Sequence, residues 1–314
     1  MTAAGTTLKV RRVAEIQTLT LAVDLGGTQM RAAIVSANGE VLLRRAMPTP
    51  HDARCPDALM DLTGEVLAEG DVEHAVIGVP GRVNYRHGRL EHAPNLPAHW
   101  VASLEAKQLT RRFGIEVSLA NDADLAAVGE AYFGGGRRYA DVVYLTVSTG
   151  VGAGVVLGRR LVAGARSLAE VGHTVIDRPA AQQGQPASLE DLGSGTALGR
   201  RAAAVGMATD GRRIVELVQG GDGTAIALWN DLRAAIATGV VNLAYLFSPE
   251  VIVLGGGVGR NDDLLLPEIQ QHLLDVGPPG FDTPIDVVAA QLGDDAGLVG
   301  AAGWRRATLE ACRG

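Results

Sequence analysis

The chain has 314 residues, 47% of them hydrophobic and 20% charged, with a formal net charge of −7. That length predicts about two domains with buried cores, and the mildly acidic balance lacks the basic footprint of a dedicated nucleic-acid binder. Only two cysteines occur, Cys55 and Cys312, which excludes a disulfide scaffold and any zinc site built on several thiolates. No segment approaches the ~20 uninterrupted apolar residues of a membrane helix; the longest apolar helix candidate, Ile226–Phe247, carries Asp231, Arg233 and Asn242. The first residues, with Lys9, Arg11, Arg12 and Glu15, hold no apolar signal region. Residues 1–17 therefore read as a flexible leader, and a cytoplasmic setting is expected.

In chain order, three short strands come first: Leu19–Asp24, Met30–Val35 and Val41–Arg45. Gly26-Gly27 and Asn38-Gly39 mark their turns, Asn-Gly being a strong hairpin signal. A helix over about Pro56–Glu69 precedes a strand, His74–Val79, that closes on Pro80-Gly81. A helix near Val101–Phe113 then leads to the strand Ile115–Ala120. From Val142 the opening pattern returns: strand Val142–Val147, a glycine-rich turn Thr149–Gly154, a returning strand Gly154–Leu157, and a third over Leu161–Ala163. Pro179–Ser188, rich in Ala, Gln, Gly and Pro, reads as a surface loop. Helices are expected near Thr196–Val205, Arg212–Val218 and Gly223–Phe247, followed by a buried strand Glu250–Leu254, a last strand Ile285–Ala290 and a terminal helix Gly297–Ala311. Strands alternating with helices imply an α/β architecture with mixed sheets. The 41 glycines, about twice the average share, suggest many tight turns.

Three glycine turns end strands. In Asp24-Leu25-Gly26-Gly27-Thr28 a carboxylate closes an apolar strand, and two glycines let the backbone approach an anion. Backbone amides of such a turn can cradle phosphate oxygens while the carboxylate holds magnesium, directly or through water. An ordinary hairpin turn has the same composition. The second turn, Ser148-Thr149-Gly150-Val151-Gly152-Ala153-Gly154, offers the same chemistry, and Gly255-Gly256-Gly257 is the third. Three such turns favour one nucleotide cleft over three unrelated loops. Neither a P-loop nor a dinucleotide fingerprint is present. Lysine stands only at positions 9 and 107, so phosphate charge must be met by metal, backbone amides or arginine.

Asn121-Asp122-Ala123-Asp124 lies where a strand meets a helix, a favoured ligand position in α/β sheets. A carboxylate there can act as general base, although Asn and Asp also cap helices at such places; Asp124 belongs to the first helical turn. Glu170-Val171-Gly172-His173 and Glu190 place two carboxylates and an imidazole around a loop, the donors and acceptors a polyhydroxylated ligand needs.

Over about residues 19–305 the sequence resembles the ROK family of sugar kinases, within the actin-like and hexokinase-like ATPase superfamily. The resemblance rests on DLGGTQMR (Asp24–Arg31), PNLPAHW (Pro94–Trp100), NDAD (Asn121–Asp124), STGVGAG (Ser148–Gly154), EVGH (Glu170–His173), SLEDLGSG (Ser188–Gly195) and VLGGGV (Val253–Val258). It implies two ribonuclease H-like lobes around a central cleft. The smaller would span 18–122, with the terminal helix 297–311 packing back on it, and the larger 123–296. Asp24, Gly26, Gly27 and Thr28 would form the first phosphate segment, with Asp24 holding magnesium through water. Thr149, Gly150 and Gly152 would form the second, and Gly256 and Gly257 the adenosine segment. Asn95, Asn121, Asp122, Glu170, His173 and Glu190 would bind the sugar, with Asp122 as catalytic base.

The implied activity is ATP- and magnesium-dependent phosphorylation of the primary hydroxyl of a hexose, glucose first. N-acetylmannosamine, N-acetylglucosamine, mannose or fructose are alternative acceptors, and polyphosphate an alternative donor. A homodimer is implied, with no nucleic-acid or membrane partner. The family also contains sugar-responsive repressors with an N-terminal helix-turn-helix; 23 residues precede Asp24, too few for that module. A non-catalytic sugar sensor is the third reading. One departure stands out. Many members carry a histidine and a C-x-C-G-x-x-G-C zinc cluster before the glutamate equivalent to Glu190, whereas residues 178–188 here contain no cysteine. No structural zinc is expected, which leaves the fixing of His173 to hydrogen bonds.

Overall fold

Strands and helices alternate along the chain, and the computed structural model describes residues 18–52, 55–93, 95–168, 170–207, 211–279 and 284–308. The first half contains β1 (Thr20–Leu25), β2 (Gln29–Val35), β3 (Val41–Pro48), α1 (Cys55–Leu67), β4 (His74–Val79), β5 (Arg82–Asn84), β6 (Arg89–His92), α2 (Ala98–Ser103), α3 (Ala106–Phe113) and β7 (Glu116–Asn121). After α4 (Asp122–Phe133) come β8 (Val142–Val147), β9 (Val151–Leu157), β10 (Arg160–Leu161), a 3₁₀ turn at Glu170–His173, α5 (Arg178–Gln182), α6 (Leu189–Gly193) and α7 (Gly195–Ala204). The chain continues through α8 (Gly211–Gln219), α9 (Gly223–Phe247), β11 (Val251–Gly255), α10 (Gly256–Gly259), α11 (Asp262–Val276), β12 (Asp286–Ala289), a 3₁₀ turn at Gly293–Asp295 and α12 (Ala296–Thr308).

Two five-stranded sheets result, ordered β3-β2-β1-β4-β7 and β10-β9-β8-β11-β12. In each, antiparallel strands at one side give way to parallel ones: β1, β4 and β7 in the first, β8, β11 and β12 in the second. The repeated pattern in the sequence is thus a repeated topology. Parallel strands bring their carboxyl ends to one edge of each sheet. The three glycine turns follow β1, β8 and β11, and Asp122 follows β7, so all four lie where ligands gather in such sheets.

Between the sheets lies a third core, built from α4, α12 and inward residues of both sheets, among them Ala22, Val76, Tyr144 and Val253. Helices α4 and α12 meet backbone to backbone. A Cβ on Gly129 would stand 2.3 Å from the Ala296 carbonyl, and one on Gly300 would stand 1.9 Å from that of Leu125. Part of the glycine excess therefore serves close helix packing and not turns. Such contact leaves no room for a side chain, and it fixes the helix whose first residue is Asp122.

Several boundaries differ from the sequence reading. The helix expected over Val101–Phe113 is two helices, because the Leu90 N–H bonds the Leu104 carbonyl at 3.0 Å and Glu105 bridges Arg89, drawing the chain onto β6. The β5–β6 hairpin and α11 add elements that the reading lacked; α11 continues through Pro267, a residue that ordinarily argues for a break. Gly152 and Gly154 lie inside β9, so the second glycine turn is shorter than Thr149–Gly154. The Pro179–Ser188 loop opens with α5, capped by Asp177. The leader, residues 1–17, and the last residues of the expected terminal helix lie outside the described residues.

Candidate active site

The first glycine turn is closed by the Gly26 N–H bonding the Gln29 carbonyl at 3.0 Å. Thr49 reinforces it, its hydroxyl donating to the Gly26 carbonyl at 2.6 Å. Among the described residues no backbone bond takes up the Gly27 or Thr28 N–H, so both can serve an anion. A Cβ on Gly27 would stand 3.0 Å from the Asn95 carbonyl and 3.3 Å from its Cβ. The exposed Asn95 therefore borders the first glycine turn directly.

Asp24 ends the buried run of β1 and pairs with Arg31 one strand across, through Nε at 3.1 Å and through Nη2. Arg31 also donates to the Asp294 carbonyl at 2.8 Å, and Arg260 pairs with the Asp294 carboxylate. Arg260 closes the helical turn that begins at Gly256, its N–H bonding the Gly256 carbonyl at 3.0 Å. A string of charges thus connects the first glycine turn to the third. Sequence reading gave Arg31, Arg260 and Asp294 no role, because their partners lie far along the chain.

The second and third turns meet over the start of α7. The Gly195 N–H bonds the Ser148 carbonyl at 2.7 Å, and the Thr196 hydroxyl donates to the Thr149 carbonyl at 2.7 Å. Gly256, at φ +86°, presses on β8: a Cβ there would stand 2.3 Å from the Val147 carbonyl. Only a residue without a side chain takes that backbone angle so close to a strand. Around Gly257 the space is open.

Glu190, on α6 and not in a loop, accepts the Val151 N–H at 2.8 Å through Oε2. The 3₁₀ turn carrying Glu170 and His173 packs on the same spot, where a Cβ on Gly172 would come 2.2 Å from the Val151 carbonyl and 3.3 Å from Glu190 Cβ. His173 Nε2 lies 3.3 Å from Glu170 Oε2. The intervening segment is drawn together by the Leu189 N–H on the Thr174 carbonyl at 2.9 Å, the Ile176 N–H on the Ala187 carbonyl at 2.9 Å, and the Ser188–Asp191 capping box. Glu170, His173 and Glu190 are thereby gathered beside the second glycine turn. The segment between them offers no thiolate, and no cluster of three metal-binding side chains occurs among the described residues; the donors present do not fit a zinc site of the family's kind.

Asn121 is buried and caps α4: its Oδ1 accepts the N–H groups of Ala123 at 2.8 Å and Asp124 at 3.2 Å, and its Nδ2 donates to the Gly81 carbonyl at 2.9 Å. Those bonds leave one amide hydrogen for a ligand. Asp122 has an exposed side chain, its Oδ1 accepting the Ala123 N–H at 2.9 Å. Protein atoms nonetheless crowd the carboxyl. Loss of hydration there, reinforced by the like charge of Asp24, pushes its carboxyl up to about 7. A group so placed exchanges protons near neutrality. Packing of α4 on β9 is equally close, a Cβ on Gly154 standing 2.8 Å from the Ala123 carbonyl. The Asn121–Asp122 turn and the strand that leaves the second glycine turn are held to one another through that contact.

Residues 20–308 match the model of the ROK family. The chain belongs to the ROK family. It is 34% identical over 315 residues to a glucokinase of Streptomyces coelicolor, covering 92% of this chain and 98% of that one. It is 31% identical over 294 residues to an N-acetylmannosamine kinase of Haemophilus influenzae, covering 92% and 96%. A ROK glucokinase of Streptomyces griseus, solved in complex with glucose and AMPPNP, superposes with a TM-score of 0.75 at 32% identity, covering 92% and 99%. Each of these relatives is matched over 96–99% of its own length. The mixed α/β fold is that of ROK kinases within the actin-like ATPase group.

Proposed function

We propose that this ROK protein is an ATP-dependent hexose kinase acting on the primary hydroxyl of glucose, with Asp122 as general base. The observation that carries the reading is the convergence of three glycine turns and a carboxylate titrating near neutrality on the carboxyl ends of parallel strands. The full-length similarity to glucokinases, one holding glucose and AMPPNP, supports it.

In this mechanism the Gly27 and Thr28 amides and the Thr149–Gly150 turn receive phosphate oxygens, and Gly256–Gly257 border the adenosine. MgATP enters as substrate, and the cation it carries supplies charge neutralisation at the phosphates. Asp24 suits contact with that cation through water, since Arg31 holds its Oδ2. Asn95, Glu170, His173, Glu190 and the remaining Asn121 amide hydrogen bind sugar hydroxyls. Asp122 takes the proton of the attacking hydroxyl as its oxygen reaches the γ-phosphorus. Phosphoryl transfer needs little else beyond position and charge stabilisation. Closure of lobes 18–122 and 123–296 would exclude water, with the helix 297–311 joining the first lobe.

N-acetylmannosamine is the second acceptor to test, because an N-acetylmannosamine kinase matches over nearly its whole length. The protein is proposed to work as a cytoplasmic homodimer without structural zinc; among the described residues no helix is long and apolar enough to cross a membrane. ADP release followed with ATP, magnesium and a panel of hexoses tests the reading, and glucose is expected to give the highest kcat/KM. No turnover with any hexose would overturn it. About one zinc per purified chain would overturn the zinc-free part alone.

A further inference from the structure

Two residues beyond Asp122, the side chain of Asp124 is wholly buried. It is not spent on the cap, which Asn121 supplies. Its Oδ2 accepts the Tyr85 hydroxyl at 2.5 Å, and that same hydroxyl accepts the Asn121 backbone N–H at 3.1 Å. The Ser167 hydroxyl bonds to this pair as well. Asp124 Oδ1 has no hydrogen-bond partner among the described residues. A buried carboxylate with one idle oxygen is costly. Burial pushes the Asp124 carboxyl up to about 6 against the opposing bonds from Tyr85 and Ser167.

The three residues come from three parts of the chain. Tyr85 follows the β5–β6 hairpin's first strand and is tied to the next partner by its N–H on the Ala165 carbonyl at 3.1 Å. Its ring lies 5.9 Å from that of Trp304 on α12. Ser167 stands in the segment that leads into Glu170–His173, and an antiparallel bridge between Asn84 and Arg166 holds this segment beside Tyr85. Asp124 stands on α4, two residues past the proposed base and within the same first turn.

The structure assigns to Asp124, with Tyr85 and Ser167, the role of a positioning residue that fixes the Asn121–Asp122 turn relative to the segment carrying Glu170 and His173. The assignment rests on the kinase reading above. Asp124 touches no reacting atom; it holds the Tyr85 hydroxyl, which holds the Asn121 N–H, which sets where the Asp122 backbone begins. Charge is not required for this. An amide oxygen can also accept the Tyr85 hydroxyl, in a weaker bond of the same geometry.

The test compares the full-length parent with Asp124→Asn, Asp124→Ala, Tyr85→Phe and the double variant Asp124→Ala/Tyr85→Phe, using glucose and MgATP. Asp124→Ala and Tyr85→Phe are each expected to lower kcat/KM for glucose by about 10²-fold, as a small misplacement of a base does. The KM for ATP, which reports an intact phosphate site, should stay within about twofold, and Asp124→Asn should keep activity within about threefold of the parent. The double variant should lose no more than about the worse single one, since the two residues act in one chain of bonds. Losses that multiply, an Asp124→Asn variant as impaired as Asp124→Ala, or an ATP KM that rises in step would overturn the assignment. A parent inactive on every hexose would overturn the kinase reading beneath it; an active parent with indifferent variants overturns this inference alone.

Discussion

The Glu190 carboxylate lies against the backbone of Gly150: a Cβ on that glycine would stand 2.5 Å from Oε2, the oxygen that accepts the Val151 N–H. One side chain thus braces the second glycine turn, and its other oxygen stays available to the proposed sugar site. Gly150→Ala must displace either the turn or Glu190. It is expected to raise KM for ATP and for glucose together and to lower kcat/KM by about 10²-fold. Steady-state kinetics with each substrate varied in turn would show this, and a change in one KM alone would contradict the shared brace.

If Asp122 is the base, as proposed, its acidity sets the working pH. With its carboxyl pushed up to about 7 by burial and by Asp24, the base is ionised only above that range. The kcat/KM for glucose should therefore fall as pH drops below about 7 and level off above it. An acid limb centred near about 4, where an ordinary aspartate titrates, would show that Asp24 and burial do not act on it.

Asp124 gives a stability prediction of definite sign. Its folded carboxyl is raised to about 6, so the folded state resists ionising it. Below about pH 4 the group is protonated in folded and unfolded chains alike, and nothing is lost. The penalty grows as pH rises through the window from about 4 to about 6 and is complete above it. Asp124→Asn removes the ionisation, so the variant should be more stable than the parent by roughly 3 kcal/mol near neutral pH and above, with little difference near pH 4. Melting curves at the two pH values measure it; a variant less stable than the parent at the higher pH would contradict the sign.

Arg31 bridges Asp24 and the Asp294 carbonyl with its own side chain and Asp24's about a fifth to a quarter exposed. Such a pair lies between a surface ion pair and a buried one, so Arg31→Gln is expected to cost about 1–2 kcal/mol of stability. By loosening Asp24 it should raise the KM for ATP more than that for glucose. Equal changes in both would mean that the string of charges from Asp24 to Arg260 does not serve the phosphate side.

Most strand positions and the repeated half were legible because alternating apolar runs and glycine turns are local signals. The turns at Gly26, Gly150 and Gly255 were equally plain. Asn121 was not decidable from sequence, since the same amide suits a cap and a ligand contact; in the structure the cap consumes most of it. Tyr85 and Asp124 lie 39 residues apart, and Arg31 lies 263 residues from Asp294. No periodicity or spacing records such partners, which only tertiary packing brings together. A glycine excess predicts turns, yet Gly129 and Gly300 serve to let α4 and α12 touch. A helix that close-packed is what holds Asp122 in place.

The proposed mechanism turns on Asp122 as the proton acceptor. The most direct measurement is Asp122→Asn, assayed for glucose phosphorylation with MgATP and for glucose binding by calorimetry. Binding is expected to persist near the parent's affinity while kcat falls by about 10²–10⁴-fold, the usual contribution of a general base. An Asp122→Asn enzyme that binds glucose and turns it over at the parent's rate would contradict the central claim.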